Sequence, residues 1–307
     1  MKRCPSAHEL GPAIDVECRR WRPTGYDEGR VCLYVADRRR GRALVLMHDL
    51  QPTSSAHEMR PLFEYFRWRR PTFAVDLPGF GHSDRFGSPC PPARSAAVLG
   101  QLLRQLRRTE PPLDLVTLGR GSEVAARIAR DEPGLVRSIV MLEPAPLGAA
   151  HRAALDWLGA YLRQLLGERV SRAVFALSLA RPLVRHSLRA RFHGLPDEGL
   201  LAYEQAIARA PGVVYRARLA ALALRSCASE TVSLYRALTV PVLVVHDSRG
   251  ARAAQLEAFL HGRHNRFALR VSPTRGMPHF ERRLETAAAL ERFWQTLPRA
   301  AFERAMR

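Results

Sequence analysis

The strongest constraint on how this chain folds is a repeated alternation of short apolar runs with helical periodicities. RALVLMHD (Arg42 to Asp49) reads as a buried strand, and HEMRPLFEYFR after it has helical spacing. PTFAVDLPGFG (Pro71 to Gly81) is a strand entering a Pro/Gly turn, and ARSAAVLGQLLRQLRR (Ala93 to Arg108) an amphipathic helix. LDLVTLG (Leu113 to Gly119), SEVAARIAR and LVRSIVMLEP (Leu135 to Pro144) continue the order strand, helix, strand. Parallel strands need crossover connections, so this order predicts a mostly parallel sheet covered by helices on both faces, an α/β fold. Two earlier runs, AIDVECRRW and RVCLYVADR, alternate more polarly and fit an antiparallel edge hairpin.

The pattern breaks between about Ala145 and Ala237, where strand-like runs vanish and helical segments are interrupted by Pro182, Pro196 and Pro211. It returns with PVLVVHD (Pro241 to Asp247), AAQLEAFLHG, FALRVSP (Phe267 to Pro273) and a closing helix, ERRLETAAALERFWQTL. The predicted organisation is a core formed by residues 1–144 and 238–307, with residues 145–237 inserted as a helical cap.

A formal charge of +19 suggests a nucleic-acid footprint, but the basic residues argue otherwise. Of 48, only Lys2 is lysine, and the arginines run through the whole sequence. Local clusters (Arg38, Arg39, Arg40 and Arg42; Arg67, Arg69 and Arg70; Arg104, Arg107 and Arg108) fall on predicted turns or helix faces. Aromatic interleaving occurs only around Trp68, and no nucleic-acid motif is recognisable. The reading is a solvated basic surface, able to attract anionic polymers or lipids nonspecifically at low salt. No stretch approaches the length and apolarity of a membrane span, and the N-terminal residues lack an apolar signal region. Five widely spaced cysteines with no CxxC pair indicate neither a disulfide framework nor a zinc site. A cytoplasmic chain is expected.

Four passages, in order, resemble the α/β-hydrolase superfamily, in particular its capped branch of epoxide hydrolases and haloalkane dehalogenases. LVLMHDL resembles the strand and HG segment that supplies an oxyanion-hole donor. VDLPGFGHSDR is close to the D-x-P-G-x-G-x-S-D loop. LVTLGRGSEVAARIARDEP with VRSIVMLEP stands where the nucleophile elbow and next strand belong. PVLVVHDSRG and GMPHFERRLETAAALERFW resemble the acid-bearing strand and the final histidine segment. The resemblance implies an α/β-hydrolase fold and ancestry in the hydrolysis of small ester, lactone, epoxide or halide substrates.

The residues that would carry that chemistry depart from the pattern. The segment T-L-G-R-G stands in place of G-x-S-x-G, putting Gly119 at the nucleophile position with Arg120 after it. A three-residue shift would make Ser122 the nucleophile; alternatively Ser122 is the N-cap of the following helix. The run R-G-M-P-H-F-E puts Gly276 where the base histidine belongs, leaving His279 as base candidate or as a packed histidine. Asp247 lies a few residues before the usual acid position, and Glu143 matches an alternative one after the preceding strand. Asp49 replaces the glycine of HG, so the oxyanion donors would be the backbone N–H groups of Leu50 and Arg120, with a carboxylate beside them.

The sequence therefore predicts either a site retained for binding a small apolar molecule or a partner, or a rebuilt hydrolase. The rebuilt site would use Ser122 as nucleophile, His279 as base and Glu143 or Asp247 as acid. No metal, nucleotide or flavin cofactor is implied, no specific nucleic acid is expected, and no membrane contact is expected. The basic apolar cap stretch RVSRAVFALSLARPLVRHSLRARF is instead expected to pack over the pocket.

Overall fold

A computed structural model describes residues 10–25, 29–84, 92–107, 112–144, 181–209, 228–247, 251–261 and 263–297. An eight-stranded sheet organises them, with strand order β1-β2-β4-β3-β5-β6-β7-β8. Strands β1 (Glu17–Trp21) and β2 (Val31–Ala36) form the antiparallel edge predicted from their polar alternation. The remaining strands are β3 (Leu44–Met47), β4 (Thr72–Asp76), β5 (Leu113–Leu118), β6 (Val136–Leu142), β7 (Val242–His246) and β8 (Arg266–Arg270). They pair in parallel from β4 onward, as strand–helix alternation requires.

Successive side chains on a strand face opposite sides, and this divides the apolar residues between two cores. Val45 and Met47 of β3 face one layer; Leu44 and Leu46 face the other. The first layer contains α2 (Pro92–Arg107) and α3 (Gly121–Asp131), with Leu99, Leu103, Val124 and Ile128 buried. Helices α6 (Ala228–Arg236) and α7 (Ala251–Leu260) add Tyr235 and Phe259 to it. The second layer contains α1 (Arg60–Phe66), the short α8 (Pro278–Glu281) and the closing α9 (Arg283–Thr296), with Phe63, Phe66, Leu290 and Phe293 inside.

Between β6 and β7, the described part of the insertion contains α4 (Arg181–Arg189) and α5 (Glu198–Arg209). Leu188, Phe192 and Leu200 pack into the second layer, while Arg181, Arg185 and Arg189 face solvent. Helix α6, read as the end of the cap, packs beside α3 and adds Leu234 and Tyr235 to the first core layer. The first part of the arginine-rich cap stretch, with Arg169 and Arg172, lies outside the described residues. Among the described residues no helix is long and apolar enough to cross a membrane.

The cysteine reading requires one correction. Cys18 and Cys32 are joined as a disulfide across β1 and β2. The hairpin register pairs Cys18 with Tyr34 and Arg20 with Cys32, bringing the two Cα atoms to 6.3 Å, within the range a bridge requires. Their spacing in sequence carried no such signal; the register did.

Candidate active site

The C-terminal ends of β3, β5, β6 and β7 bring together the segments singled out in the sequence. After β5 the backbone turns sharply: Gly119 adopts φ +54°, and α3 begins at Gly121. The N-cap of α3 is Arg120, without a side-chain capping bond, so Ser122 is not the cap. A left-handed glycine completes the turn early, and Gly121 passes so close to the His48 carbonyl that a Cβ there would collide with it. Ser122 falls inside the first helical turn, fully buried, with Oγ 2.8 Å from Thr117 Oγ1.

Facing this elbow is Asp49, at the end of β3. Its Oδ1 accepts the N–H of Leu50 at 2.7 Å and the N–H of Arg120 at 2.8 Å, and its Oδ2 accepts from Gln51 Nε2 at 3.1 Å. The backbone N–H of Arg120 is therefore a partner of Asp49. A Cβ built on Gly119 would lie 2.6 Å from the Asp49 carboxyl carbon. His48 fixes the segment. Its Nε2 accepts the Leu77 N–H at 2.9 Å, which leaves Nδ1–H to donate to the Asp49 carbonyl at 2.5 Å.

Beneath Asp49 lies a buried polar network that the sequence did not reveal. Glu58, in a 3-10 turn (Ala56–Met59), is wholly buried; its Oε2 accepts the Asp49 N–H at 3.0 Å and its Oε1 meets Arg191 at 2.8 Å. Arg191 also reaches Glu204 of α5 at 3.4 Å, and Glu204 Oε2 accepts from Thr53 Oγ1 at 2.9 Å. Burial opposes the charge on Arg191, but Glu58, Glu204 and Asp49 outweigh it and hold the guanidinium protonated. Burial raises the Glu204 carboxyl to about 7 despite the pull of Arg191. Arg191 ties the segment after α4 to the 3-10 turn and to α5, and its backbone occupies the space beside Gly276. A Cβ at 276 would sit 3.3 Å from the Arg191 carbonyl oxygen.

The 3-10 turn carrying Glu58 is itself held by Asp76, the last residue of β4, which also anchors the Pro/Gly loop that follows. Asp76 accepts from the Ala56 N–H at 2.7 Å, from the His82 N–H at 2.9 Å and from the Tyr34 hydroxyl at 3.2 Å. His279 is packed against the same turn. Its Nε2 donates to the Glu58 carbonyl at 2.6 Å, its Nδ1 has no partner among the described residues, and burial lowers its pKa to about 4. The ring is therefore neutral at physiological pH. Neither ring nitrogen meets Ser122: Nε2 is taken by the Glu58 carbonyl and Nδ1 has no partner, so no hydrogen bond links the expected nucleophile and base among the described residues.

Glu143, at the end of β6, has φ +45°, a left-handed conformation rare for a residue with a side chain. Its Oε1 accepts the Asp247 N–H at 2.7 Å. Asp247 in turn receives Arg270 Nε at 3.0 Å, Ser272 Oγ at 3.2 Å and the Thr274 N–H at 3.0 Å. The structure brings these two candidate acids together and uses them to tie the loops after β6, β7 and β8. No group of side chains suited to a metal ion occurs among the described residues. A surface hollow of about 910 Å³ lies elsewhere, between β1, α2 and the turn after α3, lined by Trp21, Gln101, Arg104, Gln105 and Glu132. It contains none of the predicted site residues.

Against this geometry stand the comparisons with known proteins. The sequence profile described as Alpha/beta hydrolase family matches residues 44–299. No curated protein matches. Among solved structures, Cfl2 from Burkholderia cenocepacia is 21% identical, with a TM-score of 0.69 over 90% of this chain and 95% of that one. A putative alpha/beta hydrolase from Nostoc is 18% identical, with a TM-score of 0.75 over 92% of this chain and 99% of that one. A thermophilic esterase from Thermogutta terrifontis is 18% identical, with a TM-score of 0.69 over 91% and 98%. At such identities the likeness speaks for the fold.

Proposed function

Because the chain belongs to the alpha/beta hydrolase family, we propose that it keeps the family's site for binding a small apolar molecule or a partner, and has given up covalent hydrolysis. The observation that carries this reading is Asp49. An oxyanion hole accelerates acyl transfer because its donors stay free for charge that develops only in the transition state. Here the N–H groups of Leu50 and Arg120 already serve a resident carboxylate oxygen. A substrate carbonyl would have to displace that carboxylate and then develop negative charge near it. Gly119 offers no attacking atom, and the Ser122 hydroxyl is wholly buried and hydrogen-bonded to Thr117.

The test is labelling of the purified protein with a fluorophosphonate probe, beside Ser122→Ala and His279→Ala variants and a short-chain nitrophenyl ester assay. Absence of both labelling and turnover is expected. Labelling lost in Ser122→Ala, with hydrolysis lost alongside, would establish instead a serine hydrolase with a rebuilt site. On the binding side, a ligand found by thermal-shift screening of small apolar esters and lactones should bind differently to Asp49→Ala and Arg120→Ala. Unchanged binding in both variants would remove the elbow from the ligand site.

A further inference from the structure

Two of the arginine clusters that look scattered in the sequence meet on one surface. The loop after β2 carries Arg38, Arg39, Arg40 and Arg42; the turn after α1 carries Arg67, Trp68, Arg69 and Arg70. Ala36 and Leu44 both pair with Thr72, so the two segments lie side by side at the N-terminal ends of β3 and β4. Arg70 joins them directly, donating from Nε to the Arg42 carbonyl at 2.7 Å. This is the end of the sheet opposite Asp49 and Gly119.

Charge on this surface is unbalanced in a defined place. Glu17 and Asp37 pair with Arg19, Glu64 pairs with Arg67, Glu291 with Arg69, and buried Asp114 with Arg70 and Arg137. Arg38, Arg39 and Arg40 are exposed and make no hydrogen bond or ion pair among the described residues, although Arg38 is near enough to Glu17 to help lower its pKa. Beside them Trp68 is 60% exposed, with the Arg67 guanidinium 5.0 Å over its ring.

We infer that this surface docks onto an anionic lipid bilayer. Guanidinium groups fork onto phosphate oxygens, and an indole is at its most favourable at the headgroup level, its apolar body in and its N–H wet. Single-stranded nucleic acid fits less well. Binding without sequence preference relies on successive exposed aromatic platforms, whereas the rings here already carry guanidinium groups over their faces: Arg67 over Trp68, Arg69 over Tyr65 and Arg70 over Trp294. Docking through the floor of the sheet leaves the Asp49–Gly119 end turned away from the membrane.

The experiment is co-sedimentation of the whole protein with phosphatidylcholine vesicles, with and without phosphatidylserine, at physiological salt. Wild type should bind only the anionic vesicles. The variant Arg38→Gln/Arg39→Gln/Arg40→Gln should lose on the order of 100-fold in partitioning, since each basic residue near an anionic surface acts nearly independently. Trp68→Ala should lose several-fold more. Arg181→Gln/Arg185→Gln/Arg189→Gln on α4 removes the same charge elsewhere and should change partitioning less than about 3-fold, through long-range attraction alone. Equal losses in the two triple variants would show nonspecific attraction of a basic protein and overturn the proposal, as would failure of wild type to bind. A single-stranded oligonucleotide that displaces wild type from vesicles, and binds the first triple variant poorly, would overturn the assignment to lipid.

Discussion

Asp49 and Gly119 exclude any larger pairing at their two positions: the carboxyl group of one occupies the space a side chain on the other would need, 2.6 Å from its Cβ. Gly119→Ala adds a steric collision to a left-handed backbone, and should cost about 2–4 kcal/mol. Asp49→Ala should cost about 1–3 kcal/mol by leaving the N–H groups of Leu50 and Arg120 without an acceptor. The double variant has no collision, so it should be less destabilised than the sum, with a coupling of about 1 kcal/mol or more. Urea denaturation of the four proteins measures this; additive losses would show that the two residues do not compensate one another.

That relationship was partly legible in the sequence and partly not. Asp49, Leu50, Gly119 and Arg120 could be placed near one another because the resemblance aligns them with the oxyanion segment and the elbow, which end β3 and β5, strands that pair in the sheet. What the motifs could not convey is direction. Whether Asp49 points into the oxyanion position, and whether Ser122 points away from it, depends on side-chain rotamers and on where the helix begins. Arg191 was hidden more deeply. By helical spacing it falls on the face of the buried Val184 and Leu188, seven and three residues after them, but nothing in that spacing names its partner, Glu58, a residue 133 positions away. Lone charged residues on separate elements carry no periodicity, so no sequence pattern announces a buried ion network.

The network makes Arg191 a point of high cost. Arg191→Met would leave Glu58 wholly buried without its cation, a change that typically destabilises by about 3–5 kcal/mol. Adding Glu58→Gln removes the stranded charge, and should recover part of the loss even though a further hydrogen-bonding group has been altered. Denaturant titration distinguishes the two. If Arg191→Met unfolds no more easily than wild type, Arg191 does not neutralise Glu58 in solution.

Glu204 gives the same network a pH dependence. Its folded-state pKa of about 7 lies above the ordinary value of 4.5, so the folded chain holds this proton more tightly than the unfolded chain. The stability that it contributes is therefore complete below about 4.5 and is lost as pH rises through 7. His279, lowered from 6.5 to about 4, works in the other direction: its contribution is present above 6.5 and is lost as pH falls through 4. The difference in unfolding free energy between wild type and Glu204→Gln isolates the first effect. It should shift against wild type between pH 4.5 and 8; a difference independent of pH would place the Glu204 carboxylate in a solvated environment.

The loop after β4 allows the two costs of replacing a turn glycine to be separated. Gly81 has φ +49°, and a Cβ there would collide with the carboxyl group of Asp76, the acceptor for Ala56, His82 and Tyr34. Gly25 has φ +76° but opens onto empty space, with nothing within 4 Å of a built Cβ. Gly25→Ala should therefore cost only the backbone term, about 1 kcal/mol. Gly81→Ala should exceed it by about 2 kcal/mol or more, because displacing Asp76 strands buried donors as well. The consequence should also reach the site, since Asp76 anchors the 3-10 turn that presents Glu58 to Asp49 and Arg191. Gly81→Ala should raise amide exchange at Ala56 and Asp49, while Gly25→Ala leaves both protected. Equal costs for the two variants, or unchanged exchange at Asp49 in Gly81→Ala, would disconnect the loop from the site.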